Sequence, residues 1–325
     1  MQIAVLIPCY NEEKPIPGVI AAFRAALPAA TIYVYDNNSA DRTAEVAHAA
    51  GAIVYNELEQ GKGNVVRRMF SDVEADIYIL VDGDDTYEAG DAARMIDKLL
   101  TESLDMVTGC RITDIEAAYR PGHRFGNRIL TGLVAMIFGN RTTDLLSGYR
   151  VFSRRFVKSF PALSRGFEIE TELTVHALEL RMPIADIETR YGVRAAGSDS
   201  KLSTIGDGIR IMRTILSLVK EERPLQLFGI TSILLALTSL ALGYPLIVEF
   251  LQTGLVPRFP TAILSAAIMI LAVLVFFSGL ILDSVTHGRR EMKRLAYLRY
   301  PAACNLAAEA TALASPGGRR RTHEG

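Results

Sequence analysis

The sequence predicts an α/β fold, in which a mostly parallel, doubly wound sheet is followed by a two-helix transmembrane hairpin. Short apolar runs alternate with amphipathic helical stretches over the first hundred residues, as they do in a parallel sheet covered by helices. One apolar run, Ile77–Tyr87, stops abruptly at three carboxylates, which is typical of the end of a strand buried on both faces. Residues 227–248 and 261–282 are two uncharged runs long enough for spanning helices.

The composition limits the possible partners and compartments. A length of 325 residues suits one large domain with additions, or two domains. The net charge of −1 gives no indication of a nucleic-acid partner. Cys9, Cys110 and Cys304 are odd in number and far apart, so they fit neither a disulfide framework nor a metal cluster. We therefore expect the globular part to lie in a reducing compartment.

The elements of the sheet follow from the apolar runs and from the turn signals between them. The predicted strands are residues 2–8, 31–35, 52–55, 77–82 and 105–108. The predicted helices are residues 16–27, a helix beginning at 39–43, then 65–72 and 89–103, with Gly61–Asn64 as a loop. In such sheets the ligand lies outside the carboxyl ends of the strands.

Polar residues cluster at these carboxyl ends. Those after the first, second and central strands, with one from the Gly61–Asn64 loop, are Tyr10, Asn11, Glu12, Asp36, Asn37, Asn38, Lys62, Asp82 and Asp84. A carboxylate after the second strand suits a ribose or a base N–H, and a lysine suits a phosphate. Gly61-Lys62-Gly63 lacks the spacing and the Ser/Thr of a P-loop, and such a tripeptide is more often a turn than a site.

The pair Asp82 and Asp84 predicts a metal site. Two carboxylates this close repel each other unless a cation lies between them, and Mg²⁺ or Mn²⁺ requires oxygen ligands of this kind. A solvated acidic turn is the alternative that this stretch leaves open. An EF-hand loop is excluded, because Tyr87 and Ala93 stand where a glycine and a glutamate are needed.

Two amphipathic stretches and a basic tail suggest contact with a membrane surface. The helix predicted at about 124–139 suits either core packing or the interface, and for residues 205–223 we favour the interface. Arg289–Tyr300 would lie on anionic lipid, and the chain beyond Pro301 would be disordered.

The basic residues predict the topology of the two spans. Lys and Arg precede the first span and follow the second, whereas the loop 249–260 holds Arg258 alone, so both termini are expected in the cytoplasm. A buried hairpin in a soluble protein is the alternative. We expect domains at 1–204, 205–223, 224–283 and 284–325: a globular domain, a juxtamembrane helix, the hairpin and a cytoplasmic tail. The hairpin also offers a surface for homo-oligomers.

Several motifs occur together in a characteristic order. They are Ile7-Pro-Cys-Tyr-Asn-Glu-Glu, Asp36-Asn-Asn-Ser-Ala-Asp-Arg-Thr, Gly61-Lys-Gly-Asn, Asp82-Gly-Asp-Asp-Thr-Tyr, Asp144-Leu-Leu-Ser-Gly-Tyr-Arg, Phe167-Glu-Ile-Glu, and Arg194 through Ser200-Lys201-Leu202. Over about residues 1–222 the chain resembles family 2 glycosyltransferases of the GT-A fold, in the polyprenyl-phosphate branch that includes dolichol-phosphate mannose synthase and its glucose and N-acetylglucosamine relatives.

The resemblance implies a membrane-bound inverting enzyme that moves one sugar from a UDP- or GDP-hexose to a dolichyl or undecaprenyl phosphate. It implies Asp82 and Asp84 as ligands of Mg²⁺ or Mn²⁺. The nucleotide-sugar site implied is Pro8, Tyr10, Asn11, Glu12, Asp36, Asn38, Lys62, Asp82 and Asp84. The acceptor-phosphate site implied is Arg111, Arg124, Arg194, Ser200 and Lys201. The catalytic set implied is Asp84, Arg111, Glu170, Arg194 and Lys201.

Four departures and alternatives qualify this resemblance. Relatives often have a glutamine where Thr86 stands, which puts a third protein ligand of the metal in doubt. The alternative to a functional role for Glu170 is a place on an exposed helical face. A processive polysaccharide synthase is disfavoured because the chain has no tryptophan for its acceptor motif and only two spans. A non-catalytic membrane scaffold on the same fold is the remaining alternative.

Overall fold

The computed structural model describes residues 1–112, 131–132, 143–192, 212–213, 217, 220 and 223–306. Within these residues one seven-stranded sheet has the order β3-β2-β1-β4-β6-β5-β7. The strands are β1 Ile3–Cys9, β2 Thr31–Asp36, β3 Ile53–Asn56, β4 Ile77–Leu80, β5 Met106–Ile112, β6 Arg150–Ser153 and β7 Ile184–Arg190. The predicted central strand, β4, is the middle strand of the sheet, and all four of its residues are buried.

The sheet is parallel except at β6. β1 pairs in parallel with β2 and β4, β2 with β3, and β5 with β7. β6 lies between β4 and β5 and is antiparallel to both. β6 and β7 are not among the strands predicted above. The β6 run is short, begins with Arg150 and ends with Ser153, so it lacks an apolar pattern. An antiparallel strand starts at the edge where its parallel neighbours end, and β6 therefore brings residues 143–149 to the carboxyl end of β4.

Helices cover both faces of the sheet. They are α1 Ile16–Ala26, α2 Thr43–Ala49, α3 Lys62–Asp72, α4 Asp91–Thr101, α5 Arg154–Ser159 and α6 Ile169–Glu179. Successive β4 residues alternate between two core clusters, so that Ile79 packs with Phe23 on one face and Tyr78 packs with Phe70 on the other. Helix α3 begins at Lys62 and not at the predicted residue 65, so Lys62 lies on the first helical turn.

The two apolar runs form helices α7, Pro224–Thr253, and α8, Phe259–Leu298, which are long and apolar enough to cross a membrane. Only 11 % of the most apolar window of each helix is buried in the structure, so a buried hairpin of a soluble protein is disfavoured. Serine hydroxyls join the helices, because Ser239 donates to the Ser265 carbonyl at 2.8 Å and Ser265 donates to the Ser239 carbonyl at 2.9 Å.

The chain after the hairpin packs into the sheet unit. The chain divides into Met1–Met212 with Lys293–Gly325, and Arg213–Met292. Lys293 binds Glu179 at 2.8 Å, and the Tyr297 hydroxyl donates to buried Asp105 at 2.8 Å. These contacts place part of the segment expected on lipid against protein. Disorder beyond Pro301 is wrong for its first residues, because Ala303 is buried in the core.

Candidate active site

Three of the parallel strands end in strained turns at the same edge of the sheet. Asn11, Asn38 and Asp85 follow β1, β2 and β4, and all three have positive φ, between 53° and 60°. Asn and Asp tolerate this left-handed region because their short polar side chains bond locally. The Asn11 N–H donates to the Ser39 hydroxyl at 2.9 Å, and the Asn11 carbonyl oxygen of the side chain accepts the Ala40 N–H at 2.8 Å. The turns after β1 and β2 thus hold each other.

A cavity of about 340 Å³ opens at this edge. Six of the predicted nucleotide-sugar residues line it: Pro8, Tyr10, Glu12, Lys62, Asp82 and Asp84. Asn37, Gln60 and Phe167 complete its polar and aromatic wall. Asn11, Asp36 and Asn38 belong to the turns beside the cavity and are not among the residues that line it. Three carboxylates and one ammonium give this lining a negative charge.

Lys62 joins two carboxylates inside the site. Its Nζ lies 2.5 Å from Asp82 Oδ1 and 2.6 Å from Glu170 Oε1, and its side chain is 7 % exposed. Burial alone would lower the pKa of Lys62, but the charges of Asp82 and Glu170 outweigh burial and raise the pKa above its ordinary value. The lysine therefore remains a cation.

Glu170 is buried at the start of α6, which excludes the exposed helical face considered above. Burial raises the pKa of Glu170 above its ordinary value, although the Lys62 ammonium acts against that shift. Its second oxygen, Oε2, is buried and has no hydrogen-bond partner among the described residues. A buried acceptor of this kind is costly unless a ligand or another group satisfies it.

Asp82 and Asp84 have different surroundings. The Thr86 hydroxyl donates to Asp84 Oδ1 at 2.6 Å, so the residue that replaces the expected glutamine orients this carboxylate. Gly148, brought by β6, lies so close to Asp82 that an added Cβ would be 2.2 Å from Oδ2. Among the described residues, no three His, Cys, Asp or Glu side chains form a group that could hold a metal alone.

Asp36 lies at the end of β2 with one oxygen engaged. Its Oδ2 accepts the Ser39 N–H at 3.1 Å, whereas Oδ1 is buried without a partner among the described residues. The neighbouring Asn37 bonds the carbonyls of Glu57 and Glu59 and accepts the Gly61 N–H at 2.7 Å. The amide thus holds the segment that leads to Lys62.

Arg111 forms a bidentate pair that sequence reasoning missed. Its Nε and Nη2 each lie 2.7 Å from an oxygen of Asp144, and the guanidinium packs over the Tyr191 ring at 5.5 Å. The only signal for Asp144 was its place at the head of the Asp144–Arg150 motif. Arg150, at the end of that motif, is fully buried and donates to the Leu145 and Ser147 carbonyls and to Thr174, which ties the segment to α6.

The remaining predictions fall outside the described residues. These are the acceptor-site residues Arg124, Arg194, Ser200 and Lys201. The predicted helix at 124–139 is described only at residues 131–132, and the helix at 205–223 at residues 212–213, 217, 220 and 223, of which all but 223 are helical.

Comparison with known proteins identifies chains that are similar to this one. Residues 4–160 match the family model described as Glycosyl transferase family 2. An uncharacterized protein of Shigella flexneri is 60 % identical over 46 % of this chain and 91 % of that protein. The glycosyltransferase AglJ of Haloferax volcanii is 35 % identical over 90 % of this chain and 97 % of AglJ. A dolichyl-phosphate hexose transferase of the same organism is 27 % identical over 68 % of this chain and 95 % of its own length.

A solved structure shares the sheet. The crystal structure of glucosyl-3-phosphoglycerate synthase from Mycobacterium tuberculosis, in complex with Mn²⁺, uridine diphosphate and glucosyl-3-phosphoglycerate, is 26 % identical to this chain. The likeness has a TM-score of 0.56 and covers 66 % of this chain and 79 % of that one. The predicted fold class, a GT-A domain followed by two apolar helices, is confirmed.

Proposed function

Because the chain belongs to glycosyl transferase family 2, we propose that this glycosyltransferase moves one hexose from a nucleotide-sugar to a polyprenyl phosphate. The products are a polyprenyl-phosphate-sugar and a nucleoside diphosphate. The observation that carries the donor half of the proposal is the cavity at the strand ends, in which Lys62 bridges Asp82 and Glu170.

The charge of the cavity supports a divalent metal. Glu12, Asp82 and Asp84 face a single ammonium, and a nucleoside diphosphate would add further negative charge to the same space. The donor set fits Mg²⁺ or Mn²⁺, which proteins often hold with one or two carboxylates while phosphates and water complete the shell. Asp82 and Asp84 would hold the metal, which would supply charge stabilisation to the departing diphosphate. The mycobacterial structure with Mn²⁺ and uridine diphosphate supports this assignment.

The chain's own residues would bind the rest of the donor. Asp36 Oδ1, a buried acceptor without a partner among the described residues, suits an N–H of the base. Lys62 remains a cation and would contact the diphosphate from the cavity wall. Pro8, Tyr10, Asn11, Glu12 and Asn38 would surround the nucleotide.

The acceptor requires cations near the membrane. Arg111, which is oriented by Asp144, would meet the acceptor phosphate together with Arg124, Arg194, Ser200 and Lys201. The name of the Haloferax dolichyl-phosphate hexose transferase supports an acceptor of this class. Whether the acceptor is dolichyl or undecaprenyl phosphate would depend on which of these lipids the membrane contains.

The acceptor also determines the kind of catalysis. A phosphate monoester has a second pKa of about 6, so it is mostly a dianion at pH 7 and requires no strong general base. In-line attack by its oxygen on the anomeric carbon breaks the bond to the diphosphate and inverts that carbon. The protein must hold two anions together, and Arg111, Arg194 and Lys201 would do so. Glu170 would position the sugar or the acceptor.

One experiment tests both substrates. The full chain in lipid vesicles that contain polyprenyl phosphate is expected to release nucleoside diphosphate from UDP- or GDP-hexose when Mn²⁺ is present. Asp84→Ala should abolish release and the metal-dependent part of nucleotide binding, because it removes one of two ligands. Asp85→Asn is the control, since Asp85 is exposed and does not line the cavity. If Asp84→Ala releases nucleoside diphosphate at the wild-type rate without Mn²⁺, the metal site is refuted. If release by the wild-type protein does not depend on polyprenyl phosphate, the proposed acceptor is refuted.

A further inference from the structure

A loop carbonyl caps the N-terminus of α3. The Arg165 carbonyl accepts the N–H of Gly63 at 3.0 Å and that of Asn64 at 3.3 Å. This contact is possible only because glycines flank Lys62. A Cβ added at Gly61 would lie 2.2 Å from the Arg165 carbonyl oxygen, and one added at Gly63 would lie 2.2 Å from the Ser164 carbonyl oxygen. The glycines therefore admit the loop that seats the lysine.

Glu172 holds this loop from the first turns of α6. Its Oε1 accepts the Leu163 N–H at 2.9 Å, and its Oε2 accepts the Ser164 N–H at 2.8 Å. The carboxylate is buried, whereas the Leu163 side chain is 67 % exposed. Hydrophobic burial of Leu163 thus contributes little to the position of the loop. Hydrogen bonds to a charged acceptor are stronger than neutral ones, so Glu172 fixes the backbone of residues 163–164.

The contacts form a continuous path into the donor cavity. Glu172 binds residues 163–164, the carbonyls of Ser164 and Arg165 sit over Gly61 and Gly63, and Lys62 lies between those glycines. The Lys62 ammonium then lies within 2.6 Å of both Asp82 and Glu170. Because Lys62 is the first residue of α3, a shift of the first turn of this helix would move the Lys62 ammonium directly.

We propose that Glu172 is a positioning residue for donor binding, which acts through residues 163–165 on Lys62. This inference rests on the proposed function, because it takes the donor to be a nucleotide-sugar whose diphosphate meets Lys62. Glu172 itself touches neither substrate in this scheme. Its removal should weaken donor binding while the chemical step at saturating donor is preserved.

Glu172→Gln tests the role with little change in shape. The amide nitrogen faces a backbone N–H, so one of the two hydrogen bonds becomes a clash between donors. We expect the Kd of UDP or GDP with Mn²⁺, measured by calorimetry on the full chain in detergent, to rise about tenfold, the effect of one lost charge-assisted hydrogen bond. The KM for nucleotide-sugar should rise similarly, while kcat and the KM for polyprenyl phosphate stay within about twofold.

Two further variants separate positioning from stability. Glu179→Gln removes another buried carboxylate from the same helix, one that binds Lys293, and it should lower the thermal midpoint without changing nucleotide affinity. Gly63→Ala disturbs the same loop contact from the α3 side and should weaken nucleotide binding as Glu172→Gln does. The double variant should be no weaker than the worse single variant, because both break one contact.

The outcomes distinguish failure of the positioning role of Glu172 from failure of the proposed function. If Glu172→Gln melts earlier than wild type but binds UDP and GDP with wild-type affinity, the residue is only structural and the inference is wrong. If the wild-type chain binds neither nucleotide, the proposed function fails and the positioning role fails with it.

Discussion

At the scale of single residues, Gly148 leaves room for the carboxylate that we assign to the metal. A Cβ at this position would lie 2.2 Å from Asp82 Oδ2, and the Gly148 N–H donates to the Tyr87 hydroxyl at 3.0 Å, so the backbone is held in place. Gly148→Ala should therefore displace Asp82 and not the backbone. Displacement of a reacting group by about 1 Å can cost roughly a hundredfold in rate, and we expect a loss of that order in nucleoside diphosphate release.

Gly90→Ala provides the comparison for Gly148→Ala. Its added Cβ meets only Glu88 Oε1 at 3.9 Å, an ordinary contact, so its activity should match wild type. Circular dichroism and thermal midpoints of both variants would establish that the fold survives. Full activity in a folded Gly148→Ala protein would show that the position of Asp82 tolerates displacement, which would weaken its assignment as a ligand.

The position of Asp82 and Asp84 at the edge of the sheet could be predicted from sequence, because an apolar run ends at them and the end of a strand can be recognised from one continuous segment. The partners of Lys62 could not be predicted, since Asp82 follows β4 and Glu170 lies on α6, far apart in the chain. From the sequence, the glycines beside Lys62 indicated only a turn whose lysine suits a phosphate, whereas in the structure the glycines lie against the carbonyls of Ser164 and Arg165. Contacts between distant backbones leave no local pattern in a sequence.

At the scale of elements, the predicted strands were those with continuous apolar runs, and β6 and β7 were missed. The burial of β6 depends on hydrogen bonds, which leave no such run. Arg150 is enclosed by carbonyls of its own loop and by Thr174, and burial lowers the pKa of its guanidinium. No hydropathy pattern identifies a strand that begins with a buried arginine. Yet β6 is the element that carries Gly148 and Asp144 to the site.

The hairpin is packed through small residues at a seven-residue spacing. On α8 these residues are Ser265, Ala272, Gly279 and Thr286. The first three lie against Ser239, Ser232 and Phe228 of α7, respectively. This spacing keeps one seam of each helix in contact, and small side chains allow close approach. A Cβ at Gly279 would lie 2.8 Å from the Phe228 Cβ, so the two helices leave no room for a side chain there.

Gly279→Leu should therefore destabilise the hairpin by about 1–3 kcal/mol, the usual cost of overpacking. The measurement is the thermal midpoint in detergent, together with the fraction of monodisperse protein. Gly288→Leu, on the same helix with nothing within 4 Å of its added Cβ, is the matched control and should leave both values unchanged. Equal behaviour of the two variants would show that the seam does not stabilise the hairpin.

At the scale of the whole molecule, the sheet unit contains chain from both sides of the hairpin. Residues up to Met212 and from Lys293 onward belong to the same compact unit, and Tyr297 and Ala303 enter its two core clusters. If the hairpin crosses a membrane, we expect both of its ends on the same side, because a folded domain cannot be divided by a bilayer. The charge pattern that predicted a basic tail gave no indication of this packing, because the packing depends on a hydrogen bond from Tyr297 to Asp105, which are far apart in the sequence.

This connectivity, with the positive-inside bias, predicts the labelling of single cysteines. In a variant without Cys9, Cys110 and Cys304, Gly254→Cys should react with an impermeant thiol reagent applied to intact cells, because Gly254 directly follows α7 in the loop between the two apolar helices. Met292→Cys, which is 65 % exposed and lies among those flanks, should react only after the cells are opened. Labelling of both sites from outside would show that the helices lie on the membrane without crossing it. The reverse pattern would place the donor cavity on the outer side, away from cytoplasmic nucleotide-sugars.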